Sequence, residues 1–342
     1  MDRWYLDNLV CPRDHNRLDH LSDTLTCSVG HAYPVVDGVP VMLLGDEVQT
    51  IGAAEKSLKL AAGFSDEQLP GFYLESLSTT EIKKKAIIAL ARSGASKVDP
   101  VVAYMIGATN GNLYNHLVGN LDSYPIPVLR LPSGDGQSLL DLGCNWGRWS
   151  IAAARIGYSV VGIDPQLGAV MAARRVSRQL GLHIKYIVAD ARFLPFAGNS
   201  FDKVFSYSVL QHLSKENVAT VVAEIARVLK PGGSSLVQMP TPFGIRTLYS
   251  QARRRFRPAY GFEVRFWSIP SLKRLFSRIG ETEISVDCYF GTGLQKSDSH
   301  LMPAKLKFVL SVSEALRKAS RFARPLVYVA DSVYVHSTTR KE

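Results

Sequence analysis

Cysteine is scarce in this sequence, with four in 342 residues, and only Cys11 and Cys27 form a pair near one end of the chain. That scarcity excludes a disulfide framework and leaves metal ligation as the chemistry such a pair suggests in a reducing compartment. Long apolar runs are absent too: none approaches the roughly 18 residues a bilayer-spanning helix needs. The opening stretch, MDRWYLDNLVCPRD, carries acids where a secretory peptide needs a basic start and an apolar centre. A soluble, cytoplasmic chain is the expectation. Acids are in the minority, 30 against 40 Lys and Arg, for a net charge of +10. Such a balance attracts nucleic acid, anionic lipid or anionic small molecules. Here, however, the surplus is dispersed, with one dense run at Arg253-Arg254-Arg255-Phe256-Arg257. A dispersed surplus more often serves solubility than binding. Hydrophobic residues at 46% and charged residues at 20% describe an ordinary globular protein. The length favours one large domain plus a smaller module.

Residues 1–45 read as that module. PVVDGVPV is a hairpin pattern, with Asp37-Gly38 suited to a type I′ turn. The ligand-capable positions are Cys11, Asp14, His15, Cys27 and His31. Zinc accepts thiolate, imidazole and carboxylate, so Cys11, Cys27 and His31 with either Asp14 or His15 could close a tetrahedral site. The stretch LVCPRD…LTCSVGHAYPVVDGVPVML resembles the zinc ribbon of the tRNA-methyltransferase activator family. It also looks like the zinc module preceding the catalytic domain of some rRNA methyltransferases. It departs from the four-cysteine pattern at Asp14 and Gly30. A module this small needs either a metal or packing against its neighbour.

Residues 46–134 read as a helical linker and cover segment. Thr79 or Thr80 can cap EIKKKAIIALARSG, with Gly94 as its stop. Asp99-Pro100 opens a second helix, with Pro at a first-turn position. Tyr114, Asn115 and His116 lie on a short amphipathic stretch beyond it, and such helices commonly lie over the mouth of an α/β active site.

From residue 135 onward, apolar runs alternate with amphipathic helices, which predicts an α/β, doubly wound parallel sheet binding its ligand outside the carboxyl ends of the strands. LLDLG leads into GRWSIAAARIG through a glycine loop. A nicotinamide fingerprint, G-x-G-x-x-G, would need glycine at Asn145 and Arg148. What stands instead is D-x-G-x-N-x-G, from Asp141 to Gly147. Asn tolerates positive φ better than most residues, so the loop can keep its shape. This pattern resembles motif I of class I S-adenosylmethionine-dependent methyltransferases. Further resemblances follow in register: Asp164 ending the second strand, Asp190-Ala191-Arg192 after the third, SYSVLQHL after the fourth and RVLKPGG before the fifth. The resemblance covers roughly residues 136–290 and 325–338. It implies a Rossmann-like sheet of seven strands, the last two ISVDCYF and LVYVADSVYVHS, with a helical insertion at about 295–325.

The same resemblance implies S-adenosylmethionine as cofactor. Asp141 would suit its cationic amino-acid part, Asp164 would accept its ribose hydroxyls and Asp190 its adenine amine. Gly143, Asn145, Gly147, Pro165, Ala191 and Ser206 complete the implied contacts. Trp146 is a candidate pocket wall, Trp149 a core residue and Cys144 a small packing residue. Methyl transfer requires a base only where the acceptor must lose a proton. His212 is the candidate base and Gln211 an orienting group, with Tyr207, Tyr114 and His116 weaker pocket candidates.

The acceptor expected is a small molecule or a glycan or lipid-linked intermediate, methylated at oxygen or carbon. Two alternatives stand beside it: RNA methylation aided by the N-terminal module, and a non-catalytic cofactor-binding scaffold. The basic amphipathic pattern at 301–325 suits a cover helix, or contact with an anionic membrane.

Overall fold

Asp37 and Gly38 both adopt positive φ (48° and 78°), the turn their sequence calls for. They join β3 (Ala32–Val36) to β4 (Val39–Pro40), and with β1 (Leu18–Leu21) and β2 (Thr24–Cys27) these form a four-stranded antiparallel sheet. The computed structural model describes residues 1–63, 69–291 and 295–341. The chain divides into two units, one of Met1–Tyr124 and Leu131–Ser200, the other of Pro125–Arg130 and Phe201–Glu342.

In the first unit, β5 (Ser138–Leu142), β6 (Ser159–Asp164) and β7 (Lys185–Val188) run parallel in that order. Helix α1 (Arg3–Asn8) opens the chain, and α2 (Gly52–Ala61), α3 (Glu81–Ser93) and α4 (Pro100–Asn110) make up the predicted helical segment. Thr80 caps α3 and Gly94 ends it at φ 64°; Asp99 caps α4 through the amides of Val101 and Val102. Helices α5 (Arg148–Arg155) and α6 (Leu167–Gln179) are the crossovers between the parallel strands.

The N-terminal sheet docks on the β7 side of this unit. Val41 bridges to Val188, the Met42 amide donates to the Val188 carbonyl at 2.7 Å, and Tyr5 donates its hydroxyl to the Tyr186 carbonyl at 2.9 Å. Val39, Val41 and Leu43 pack with Leu167, Val170, Met171 and Tyr186 in one apolar cluster. The module thus has a core supplied by its neighbour, and the β7 edge, which could otherwise pair with another chain, is covered.

In the second unit, β8 (Phe201–Ser206) runs parallel to β9 (Leu229–Pro240), with α7 (Lys215–Val228) as crossover. Helices α8 (Ile245–Arg253) and α9 (Ile269–Phe276) follow, then β10 (Glu281–Cys288), α10 (Ala304–Ala319) and β11 (Ser332–Thr338). Strand β11 lies between β9 and β10 and is antiparallel to both. The seven strands are therefore mixed α/β, where a wholly parallel sheet was the simpler expectation. LVYV, expected as strand, is a 3-10 turn (Arg324–Val329), and only SVYVHST is extended. Pro325 inside that stretch lacks an amide proton, which excludes it from a central ladder.

Candidate active site

The loop between β5 and α5 turns on three residues of positive φ: Gly143 (74°), Asn145 (46°) and Gly147 (84°). Glycine is required at 147, because a Cβ there would stand 2.5 Å from the Tyr186 hydroxyl. Asn145 replaces glycine without loss of shape, and its side-chain oxygen accepts the Trp146 amide at 2.9 Å, a local bond that supports the left-handed conformation.

Two acids sit behind this loop. Asp164, at the end of β6, accepts the Asn145 amide at 3.0 Å on one oxygen and the Gln166 amide at 2.9 Å on the other. Asp141, at 1% exposure, accepts the Ser150 hydroxyl at 2.6 Å. Burial pushes both carboxyls up, Asp141 to about 7 and Asp164 to about 6, against the hydrogen bonds that favour their ionised forms. The Cys144 thiol is buried beside them and held well above its ordinary range by burial. A buried, protonated thiol is the form of a packing residue.

Asp190 lies in the turn after β7. Its two oxygens face the Arg192 guanidinium at 2.8–3.2 Å, and Arg192 reaches on to the Val48 carbonyl at 2.7 Å. Ala191 stands between them, half-buried. The helical segment 46–124 is stitched to the same loops. The Ser57 hydroxyl bonds the Pro165 carbonyl at 2.8 Å and receives the Leu167 amide at 2.9 Å. Ser76 receives the Gly168 amide at 2.7 Å. Trp146, buried, donates its indole N–H to Asn110 at 3.2 Å, so it joins α4 to the glycine loop; Trp149 is buried on α5. Arg148 reaches the Tyr114 hydroxyl at 3.1 Å. His116 lies exposed on the same 3-10 turn.

In the second unit, Ser206 ends β8 and is buried, and the candidate base follows on a short 3-10 turn, Leu210–His212. His212 Nδ1 is 2.7 Å from the Phe262 carbonyl, which can only accept, so Nδ1 carries the proton. Nε2 is then the basic atom, 3.3 Å from the Gln211 amide nitrogen. The imidazole stacks flat on Phe262, centroids 4.0 Å apart, and burial lowers its pKa from the ordinary value.

Gln211 donates to the Ser208 hydroxyl at 2.8 Å; Gln238, on β9, accepts the Ser208 amide at 2.9 Å. Each glutamine keeps one buried amide atom without a protein partner, Oε1 of Gln211 and Nε2 of Gln238. Tyr207 donates to Asp287 at 3.1 Å and accepts from Gln295 at 2.9 Å. Sequence reasoning missed Ser208 (φ 61°), Gln238 and Phe262. The available signal was a glutamine inside the strand run SSLVQMP.

Four of the five N-terminal candidates converge. The ligand atoms of Cys11, Asp14, Cys27 and His31 all lie within 4.8 Å of one another. His31 Nδ1 stands 3.4 Å from each sulfur and 3.1 Å from Asp14 Oδ2, and Cys27 Sγ is 3.5 Å from that oxygen. His15 is not in the group: it takes φ 58° to close the turn, its amide returning to the Cys11 carbonyl, and its ring is exposed.

A family described as a methyltransferase domain matches residues 139–233. Ubiquinone biosynthesis O-methyltransferase of Agrobacterium fabrum is 35% identical over 99 residues, covering 29% of this chain and 39% of that protein. Demethylmenaquinone methyltransferase of Renibacterium salmoninarum is 36% identical over 127 residues, covering 36% and 51%. The chain thus spans about half or less of these curated relatives. A solved structure of Haemonchus contortus phosphoethanolamine N-methyltransferase 2, in complex with phosphomonomethylethanolamine and S-adenosylhomocysteine, superposes with a TM-score of 0.46. It is 21% identical, covering 69% of this chain and 58% of that one. Residues 139–233 are thus similar to a methyltransferase domain. Among the described residues, no helix is long and apolar enough to cross a membrane.

Proposed function

We propose that this chain is an S-adenosylmethionine-dependent methyltransferase acting at oxygen or carbon of a small-molecule or glycan or lipid-linked acceptor. The observation that carries the reading is the Asn145 amide held on the Asp164 carboxylate, within a glycine loop whose three positive-φ positions stand at 143, 145 and 147. The residues fit the cofactor. Each oxygen of Asp164 spends one lone pair on a backbone amide and keeps another for a ribose hydroxyl. Buried Asp141 would be held in its ionised form by a nearby ammonium group. Asp190, oriented by Arg192, would receive the adenine amine. Pro165, Ala191 and Ser206 would complete the contacts.

When bound, the cofactor supplies a methyl group already activated on a sulfonium, so alignment is the protein's main task. His212 Nε2 is the atom that would take the proton of an acceptor hydroxyl. Nδ1–H donation to Phe262 holds the ring in the tautomer this needs, and the lowered pKa keeps it neutral at pH 7. The relatives, one an O-methyltransferase of ubiquinone biosynthesis and one a demethylmenaquinone methyltransferase, favour a small quinone-related acceptor. The RNA alternative loses support because Glu263 engages two arginines of the basic run, Arg254 at 3.6 Å and Arg257 at 2.6 Å.

The N-terminal donor set suits zinc. Ligand distances of about 2.0–2.3 Å imply tetrahedron edges of roughly 3.3–3.8 Å, close to the 3.1–3.5 Å separations of Cys27, His31 and Asp14. Cys11, Asp14, Cys27 and His31 would hold the ion and brace the turn against β2, away from any step of transfer. Zinc content measured on the purified chain and on Cys27→Ser tests this; equal content in both would remove the site.

The activity test is transfer of tritiated methyl from S-adenosylmethionine into a lysate lacking the protein, split into RNA, lipid-glycan and small-molecule fractions. Label in the lipid or small-molecule fraction is the expected result. Label in a nuclease-sensitive fraction would replace this reading with the RNA one. Tight cofactor binding with no label anywhere would leave a non-catalytic scaffold.

A further inference from the structure

Helix α8 is amphipathic the wrong way round. Of its nine residues only Thr247 is buried. Ile245, Leu248 and Tyr249, spaced i, i+3, i+4 on one face, are 64%, 39% and 61% exposed. A surface helix normally turns that stripe inward. This one is held instead by polar contacts: Asp331 accepts the Thr247 amide at 2.9 Å, and Gln251 donates to the Pro242 carbonyl at 2.7 Å. Exposed aromatics continue on either side, at Phe243, Phe256, Tyr260 and Phe262. The stretch 241–262 carries five arginines (246, 253, 254, 255 and 257); Glu263, just beyond it, pairs with Arg254 and Arg257, so Arg246, Arg253 and Arg255 are the ones left to face an anionic surface. Arg253 lies over the Tyr249 ring at 6.0 Å.

We propose that residues 243–262 dock on an anionic membrane surface, with Ile245, Leu248 and Tyr249 entering the interface and Arg246, Arg253 and Arg255 lying over lipid phosphates. An exposed apolar stripe flanked by basic residues is the pattern of an interfacial helix. Charge decides between occupants. A second copy packed on this face would set arginines against arginines. RNA would find phosphate contacts but no use for the aliphatic Ile245 and Leu248. The surface is continuous with the candidate base, since Phe262 stacks on His212 and Arg265 donates to the carbonyls of Gln211 and His212, both at 2.8 Å. The docking does not depend on the methyl-transfer reading. If both hold, a lipid-borne acceptor would be met at the membrane face.

The experiment is co-sedimentation of the full chain with extruded vesicles of phosphatidylcholine, alone or with phosphatidylglycerol. Binding is expected only to the anionic vesicles, at low salt, with release at high salt. Ile245→Ser with Leu248→Ser should lower partitioning roughly tenfold or more, and Arg253→Gln with Arg255→Gln roughly fivefold per charge removed. Leu21→Ser, an equally exposed apolar residue of the other unit, should change nothing. Unaltered melting temperatures would show each variant folded. Absence of sedimentation at low salt, or equal binding by the Ile245/Leu248 variant, overturns the proposal. So does binding of RNA without vesicles, or self-association without vesicles that the same variant abolishes.

Discussion

The loop after β5 and the segment after β8 both follow a parallel strand into a helical turn, yet they are held by different means. The first is fixed by the backbone: amides of Asn145 and Gln166 on Asp164, and positive φ at three positions within five residues. The second is fixed by side chains from distant parts of the chain. Gln238 holds Ser208, Phe262 holds His212, and two amide atoms are left over. On the proposed function the contrast has a reason: a cofactor shared by many enzymes can be met by main-chain geometry that tolerates few alternatives. An acceptor particular to one enzyme needs side chains that can vary without disturbing the strand.

The sharpest way to strain the first region is through the proton of Asp141. Its folded pKa, about 7, lies above the ordinary value near 4, so between these limits the folded state holds a proton that the unfolded state has lost. Stability of the cofactor-free chain therefore falls as pH rises from about 4 to about 7, by on the order of 4 kcal/mol. Denaturant midpoints of the native chain and Asp141→Asn at pH 5 and pH 7.5 check it; the variant should have a clearly shallower slope, the remainder coming from Asp164, whose carboxyl is raised in the same sense. An equal slope in both would show that Asp141 does not carry it.

In the second region, His212→Ala should lower turnover about a hundredfold or more while leaving cofactor affinity intact. The native acid limb of the rate profile should fall below the ordinary imidazole value, as burial requires. Steady-state kinetics with direct binding measurements separates the two effects, and unchanged turnover would return His212 to a packing role. Asp164→Ala should do the reverse, weakening the cofactor by about 1.5–3 kcal/mol, the worth of a charge-assisted hydrogen bond; calorimetric titration reads it. The smallest effect expected is for Asn145→Gly, within about 1 kcal/mol of native stability, because glycine accepts φ 46° freely. A much larger loss would mean that the Asn145 oxygen on the Trp146 amide, not the backbone conformation, holds the loop.

The elements of the first unit were legible because each is signed locally. Asp37-Gly38, Thr80, Asp99-Pro100 and the glycines at 143 and 147 announce turns and caps within a few residues of where they act. Cys11, Cys27 and His31 were legible as a donor set, since few residue types bind soft metal. Asp14 was legible too, because it stands where the ribbon pattern has its second cysteine; the exposed His15 follows from which way one turn closes. In the second unit, the antiparallel placement of β11 and the 3-10 turn of LVYV escaped the apolar pattern, which reads the same for both.

What the sequence determined alone is the order of strands and crossovers, the glycine loop and the acids at the strand ends. These follow from period, caps and φ preferences, all short-range properties. Only the tertiary structure decided that Arg192 reaches the Val48 carbonyl, that Gln211 and Gln238 meet at Ser208, and that the stripe of α8 faces solvent. The physical reason is the same in each case: hydrogen-bond partners and burial are set by residues far apart in the chain, and no local pattern encodes which of them will be neighbours.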